Sequence, residues 1–466
     1  MAAVIVIGAG ISGLAAACLL VEAGYEVVVL EERPCPGGRI QSERVGGFLM
    51  ERGANGVVLP APAVETLVEK FRLEREGVTR SEAGRRRYLL RGGRLRPLPI
   101  EPHRFFLSGY LSIAARLRML MEPFIPAKHA DETVANFTRR RFGGELLDYV
   151  VDPVVAGLFA GDPEQLGVCA TFPQLKRLER CHGSVIGGVI KSRARRGASD
   201  AVGDPRKRML SSFRQGLGAL PSAAAERLAG RILFGHRAEA VKRRAGGGFR
   251  VEVRGGSDRR SIAADSVVVA LPAYAAAGIL QRLDPRIAQT LGELGHPPLA
   301  VVFLGYPRRS IAHPLDGAGA LMPAIERRQV LGLLFSSTLF AGRAPPGHVA
   351  LTAFVGGARQ PGLAMLRPDE IRDLAHAEVT ELLGARVAPV VARVHRWRHG
   401  LPQPGVDQAQ RLGSVAALES EHAGLFLTGN YFSGVSTAAC VERAFATAGR
   451  VAHHLSARSG RPRLAA

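Results

Sequence analysis

The chain opens on AVIVIG, a run of apolar residues without a polar interruption, which predicts a strand buried on both faces. SGLAAACLLVEAG follows as an alanine- and leucine-rich helix ended by Gly24, and YEVVVLE as a second buried strand. Strand, helix and strand in this order predict a βαβ unit and a parallel sheet. Residues 63–73 pattern as a helix, and RRYLLRGGRLRPLP as a hairpin turning at Gly92 and Gly93. In FFLSGYLSIAARLRMLMEPFIP apolar positions surround Arg116 and Arg118 until Pro123 and Pro126 end the pattern. This segment reads either as a core helix or as a short amphipathic surface that dips into a bilayer. Helical patterning continues through DETVANFTRRRFGGELLDYVVDPVVAGLF, and residues 191–208 read as a basic, mobile loop.

Beyond that loop GALPSAAAERL is a helix, and the strands FRVEVRGG and DSVVVALP carry the chain back toward the first sheet. The strands LAVVFLGY, VLGLLFSS and HVALTAFVGG, with the helix DEIRDLAHAEVTELLG, suit a separate α+β domain. GLFLTGNYFSGVSTAACVERAFATAGRVAHHL returns to strand, turn and helix. One sheet is therefore expected from the beginning, the middle and the end of the chain, without internal repeats.

At 466 residues, 47% hydrophobic and 22% charged, with 55 glycines, the composition is that of a folded globular protein. The five cysteines stand apart, without CxxC pairs or histidines at metal spacing, so no metal site is expected and the thiols read as reduced and cytosolic. The first apolar run holds a glycine motif where a secretory signal would have a cleavage site, and no run is long enough to span a membrane. A net charge of +21 favours anionic partners. The basic clusters RSEAGRRRYLLRGGRLR and KSRARRGASDAVGDPRKR carry no nucleic-acid motif, and nucleic acid is not expected as a partner.

Gly8, Gly10 and Gly13 form G-x-G-x-x-G between the first strand and the helix that starts through Ile11 and Ser12. The three glycines allow a tight turn, close approach of a pyrophosphate and close helix packing, and the helix N-terminus offers N–H groups to phosphate. Glu31, ending the second strand, can accept from ribose hydroxyls. The turn alone leaves a nicotinamide and a flavin cofactor both open.

Glu31-Glu32-Arg33 followed by Gly37-Gly38-Arg39 resembles the second dinucleotide motif of the FAD-dependent amine oxidase and carotenoid desaturase superfamily. That resemblance implies FAD, with Gly38 and Arg39 against the pyrophosphate, where a guanidinium fork suits phosphate oxygens. MERGANGV, residues 50–57, is similar to the segment beneath the flavin ring and carries over Gly53, Ala54 and Asn55. LTGNYFSGVSTAACVERA is similar to the closing motif, with Gly429 at the pyrophosphate and Val435, Ser436 and Thr437 opening a helix toward the flavin. Ala238 takes the place of the adenine-contacting residue, often valine in the superfamily.

The ordered blocks RRFG, DPVVAGLFAGD, FPQL, GSVIGGVIKSR, FRQGLGALP, LGLLFSSTLFAGRAPPGHVALTAFVGG and RWRHGLPQP resemble the protoporphyrinogen/coproporphyrinogen oxidase family over most of the chain. The resemblance implies an α/β fold: a discontinuous Rossmann-like FAD-binding domain (1–80, 209–275 and 390–460), an α+β substrate domain (81–100 and 276–389) and a helical, membrane-associating subdomain (101–208). It implies oxidation of a porphyrinogen to a porphyrin in haem biosynthesis, with O2 as acceptor and hydrogen peroxide as product. Hydride would leave a meso carbon for the flavin, so no catalytic side chain is assigned. Arg87 takes the place of an arginine that pairs with a substrate propionate, a role its guanidinium fork suits; Leu331 and Phe354 are expected as apolar walls. Location in the cytoplasm at the inner face of the membrane, hand-over of product to the next haem-pathway enzyme and a homodimer complete the expectations. The alternatives are another superfamily oxidase or desaturase acting on an amine, a carotenoid precursor or a squalene derivative, and a non-catalytic porphyrin- or flavin-binding protein.

Overall fold

A computed structural model describes residues 2–99, 101–195 and 209–459. The apolar runs at the start of the chain become the parallel strands Ala2–Ile7 and Val27–Glu31, flanked by Ile232–Phe234. On the other side lies the long strand Asp258–Val269, which pairs in parallel with Ala2–Ile7 and with Leu425–Leu427. His236–Arg243 and Phe249–Gly255 extend the sheet in antiparallel fashion. Both faces are covered, which explains why the parallel strands are apolar throughout. Val4, Val6 and Val29 pack under the helices Ile11–Glu22 and Thr437–Ser459. Ile5, Ile7, Val267 and Val269 pack under Ala273–Leu280 and Pro285–Gly292.

The last pair of helices corrects one expected boundary. Residues 276–292 bury Ala276, Ala277, Ile287 and Leu291 against the first sheet, not the second. A helix's own periodicity shows that it has an apolar face but not which sheet receives it. The boundary expected at 390 shifts likewise, because Val391–Trp397 pairs with Leu299–Pro307 in the second sheet.

That second sheet continues through His348–Gly356, Val330–Leu334 and Gly319–Leu321 to the hairpin Arg87–Arg91 and Arg94–Leu98, which turns at Gly92 and Gly93. Helix Pro368–Leu383 covers one face through Ile371, Ala375 and Val379. The other face turns toward the helical unit. A buried ion pair between Asp152 and Arg359 ties a helix of that unit, Asp152–Phe159, to the second sheet. Arg359 also donates to the Met322 carbonyl at 3.0 Å.

In the helical unit the segment around Arg116 is not one helix but two, Pro102–Leu107 and Ile113–Leu120, separated at Gly109, whose φ is +66°. Ser112 caps the second by accepting from the Ala115 N–H at 3.1 Å. Arg116 and Arg118 turn inward to backbone carbonyls, while Leu107, Ile113, Leu117, Leu120, Met121 and Phe124 are exposed. Residues 191–195, expected in a loop, end the helix Val185–Arg195, and the remainder of that expected loop lies outside the described residues.

The unit is held by charge as well as by apolar contacts. Glu179, fully buried, accepts from Arg141 at 2.7 Å and Arg140 at 2.8 Å, and pairs with Lys176 at 2.8 Å. Glu122 binds Arg141 at 3.0 Å and receives the Val185 and Ile186 N–H groups at 2.9 and 3.1 Å, so it also caps Val185–Arg195. Glu132 takes Lys176 at 3.0 Å and Arg140. Three carboxylates thus share three cations, which removes the penalty of an unpaired buried charge. Burial by itself would push the Glu179 carboxyl up, but donors from Lys176, Arg141, the Lys128 N–H and Arg140 outweigh it and hold it at about 2.

Replacing Glu179 with Gln leaves buried cations underpaired and is expected to cost about 3–5 kcal/mol, read as a lowered midpoint for unfolding of this unit. The folded pKa of Glu179 lies below its ordinary 4.5, so its contribution is full above pH 4.5 and is lost as pH falls toward 2. Urea midpoints across that window should fall more steeply for the parent than for the Gln variant.

Candidate cofactor and active site

The fingerprint turn is built by contacts that exclude side chains. Gly8 has φ +104°, and a Cβ there would lie 2.8 Å from the Ala270 carbonyl oxygen. A Cβ on Gly13 would fall 1.9 Å from the Gly8 carbonyl oxygen. Gly10 differs, since a Cβ there would meet no atom within 4 Å and projects into open space. Ile11 and Ser12 start the helix with buried side chains, Ser12 reaching the Cys440 carbonyl at 3.5 Å.

The second glycine loop packs onto this turn. The Gly37 N–H donates to the Ala9 carbonyl at 2.8 Å, and a Cβ on Gly38 would stand 3.2 Å from Gly10 Cα. Glu31, buried at the strand end, accepts from the Ala9 N–H at 2.7 Å and the Arg33 N–H at 3.0 Å. Burial raises its carboxyl pKa, and the two N–H donors oppose the shift. Glu32 stands 4.0 Å from Arg237, which brings the strand carrying Ala238 to this same end of the turn.

Arg33 and Arg39 converge above Trp397, with guanidinium carbons 5.4 and 5.6 Å from its ring centroid. Arg33 donates to the Gly38 carbonyl, and Arg39 to the carbonyls of His399 and Gly400. Among the described residues neither forms an ion pair with a carboxylate. Burial lowers the Arg39 pKa, with Tyr274 acting against it. Gly53 passes beneath the second loop, since a Cβ there would stand 2.3 Å from the Arg39 carbonyl oxygen. Ala54 follows it, and Asn55 donates to the Gly53 carbonyl at 3.0 Å.

The closing segment arrives from the opposite end of the chain. Gly429 has φ +148°, and a Cβ there would stand 3.3 Å from the Leu271 carbonyl oxygen. Val435 packs against the helical unit, and Ser436 accepts from the Ala439 N–H at 3.1 Å at the start of the helix that Thr437 opens. A second helix N-terminus therefore joins the first across packed helices.

Open space above Gly10, two guanidinium groups without carboxylate partners and a helix N-terminus fit the pyrophosphate of a dinucleotide, and Glu31 fits its ribose. On the substrate side, Leu331 (5% exposed) clusters with Leu299, Ala156 and Ala160, and Phe354 packs against them half-buried. Arg87 is exposed at the start of its strand and is not brought to this cluster. The register puts Leu90 level with Leu331, two strands away, which leaves roughly 14 Å between Arg87 and Leu331, with Leu89 and Leu321 between them.

Trp397, Tyr274 and Arg343 were not singled out from the sequence. Trp397, the chain's one tryptophan, lies in RWRHGLPQP, and only the fold shows that it underlies both arginines and donates to the Arg52 carbonyl at 2.8 Å. Tyr274 stacks on His399, with centroids 4.1 Å apart.

Fold and site together define an FAD-dependent oxidoreductase. Residues 11–456 match the family described as flavin containing amine oxidoreductase. Protoporphyrinogen oxidase, chloroplastic, of Oryza sativa subsp. japonica is 31% identical over 97% of this chain and 88% of its own. Coproporphyrinogen III oxidase of Bacillus subtilis (strain 168) is 27% identical over 94% of this chain and 96% of its own. A crystal structure from Exiguobacterium sp. 255-15 superposes with a TM-score of 0.80 at 21% identity, over 98% of this chain and 99% of that one. The chain belongs to the flavin-containing amine oxidoreductases, and within them to the protoporphyrinogen/coproporphyrinogen oxidase family.

Two substitutions in the fingerprint should separate folding from binding. Gly10→Val should leave the thermal midpoint of the FAD-free protein unchanged and abolish FAD retention. Gly13→Val should lower that midpoint before any cofactor is added. Arg39→Ala removes charge-assisted bonds of about 1.5–3 kcal/mol and should weaken FAD binding about 10- to 100-fold, measured by flavin fluorescence titration.

Proposed function

We propose that the protein oxidises a porphyrinogen, protoporphyrinogen IX or coproporphyrinogen III, to the porphyrin, with O2 as acceptor and hydrogen peroxide as product. The observation that carries this reading is the match, over nearly the whole chain, to relatives named for these two reactions. The match takes in the second sheet and the helical unit as well as the cofactor cradle.

When bound in the cradle of Gly10, Arg33 and Arg39, FAD would supply two-electron redox chemistry. The chain's own part is to hold and orient. The N-terminus of Thr437–Ser459, capped by Ser436, offers a fixed positive end to the negative charge that reduction creates, and needs no reorganisation to do so. Leu299, Leu331 and Phe354 form an apolar wall that can receive a flat macrocycle and exclude water. Arg87, on the same sheet face but far from that wall, suits an acid chain at the rim of a wide substrate. A tetrapyrrole with peripheral carboxylates spans such a gap, whereas a small amine does not.

The exposed side chains of Leu107, Ile113, Leu117, Leu120 and Phe124, beside the exposed Arg104, support peripheral attachment to a membrane surface. Among the described residues no helix is long and apolar enough to cross a membrane.

Anaerobic mixing with either porphyrinogen should bleach the flavin, and air should restore it with release of peroxide. An enzyme bleached by a polyene or an amine, and by neither porphyrinogen, would refute the reading. Arg87→Ala should raise KM about tenfold, corresponding to ~1.4 kcal/mol of lost binding, with kcat little changed because the contact is remote from the reacting carbon. Phe124 is 77% exposed, and Phe124→Asp should reduce co-sedimentation with lipid vesicles about tenfold or more.

A further inference from the structure

Arg343 lies just beyond the short helix Ser336–Leu339 and is 2% exposed. Its NH2 donates to Ser212 Oγ at 2.7 Å and stands 3.3 Å from Glu51 Oε1. Its NH1 is buried and has no hydrogen-bond partner among the described residues. A buried cationic donor left unsatisfied is costly, because it has given up its hydration without a replacement. Among the described residues no side chain or backbone group completes it.

The same residue lines a small void with Glu51, Asn55, Ser336, Met50 and Phe340. The space open to the centre of a water-sized molecule is about 10 Å³, enough for one water and nothing larger. A water also needs polar partners, and the walls supply them. Asn55 uses one of its two amide N–H donors on the Gly53 carbonyl, and its amide oxygen is an acceptor. Ser336 Oγ is tied to Thr352 Oγ1 at 2.9 Å and presents a further polar atom.

We propose that Arg343 is a positioning residue of the flavin site: its NH1 holds one ordered water in this void, and that water donates to the Asn55 amide oxygen. The guanidinium is itself fixed. Glu51, its ion-pair partner, accepts from Ser42 and from the Leu217 N–H at 2.8 Å, so three separated parts of the chain converge on it. Glu51 also leads directly into residues 53–55. Arg343 therefore sets the height of that segment through Glu51 and the direction of its carboxamide through the water. The inference rests on the placement of residues 53–55 beneath the flavin ring, and not on which porphyrinogen, if any, is the substrate.

The test uses the FAD-loaded full chain and reads the flavin's visible spectrum, its midpoint potential and the Kd for FAD. Arg343→Met and Asn55→Ala should each displace the flavin bands and weaken FAD binding about tenfold, and the double variant should do little more than either alone. Arg343→Lys keeps the charge beside Glu51 but cannot reach both Ser212 and the void, so it should recover the thermal midpoint without recovering the spectrum. Ser336→Val, which fills the void, should reproduce the spectral change with Arg343 intact, and it decides the matter if Arg343→Met does not fold. Additive effects of Arg343→Met and Asn55→Ala, or an unchanged spectrum in Ser336→Val, overturn the water link. An Asn55→Ala protein with normal flavin properties overturns the placement of residues 53–55 and the proposal with it.

Discussion

The distance between the Gly8 carbonyl and the α-carbon of Gly13 governs the cofactor site. With no room for even a methyl group between them, the helix Ile11–Glu22 leaves the strand at a single angle. That angle aims the helix N-terminus at the space above Gly10 and brings Ser12 to the Cys440 carbonyl, which seats the closing helix. The second glycine loop then docks on Gly10 through Gly37 and Gly38, and carries Arg33 and Arg39 to Trp397. A close backbone contact thus organises groups supplied from four stretches of chain.

The helical unit answers the same need for fixed geometry with charge. Arg141, Glu122 and Glu179 are fully buried, and each is satisfied by more than one partner. Replacing such a network by apolar residues often costs nothing in stability, so its value here is directional. Glu122 meets the start of Val185–Arg195 and Glu179 meets the Lys128 N–H, so the cluster specifies how helices meet the loops between them. Apolar packing alone tolerates sliding, and a carboxylate shared by fixed donors does not.

The cofactor side was legible in the sequence because glycine spacing and strand-end acids act locally. Gly8, Gly13, Gly37 and Gly53 all face contacts that a side chain would block, and Glu31 lies at its strand end. The long apolar strands and the Gly92–Gly93 turn were legible for the same reason. What escaped was long-range: helices Ala273–Leu280 and Pro285–Gly292 carry an apolar face whose destination their sequence does not state. The break at Gly109 was hidden because apolar positions continue on both sides of it. Arg343 was missed because a buried arginine in RAPPG looks like any loop arginine until Glu51 and Ser212, far away in sequence, are placed beside it.

The central sheet seats Leu425–Leu427 beside Asp258–Val269, which itself borders the first strand of the chain. During synthesis the fingerprint turn leaves the ribosome well before the helix Thr437–Ser459 that packs on it. The nascent chain must therefore carry a half-built nucleotide cradle, with the apolar face of Ile11–Glu22 incompletely covered, until Thr437–Ser459 has been made. Cofactor capture is in this way tied to synthesis of Thr437–Ser459, and a product truncated before it would have neither the ligand nor the packing that the ligand stabilises.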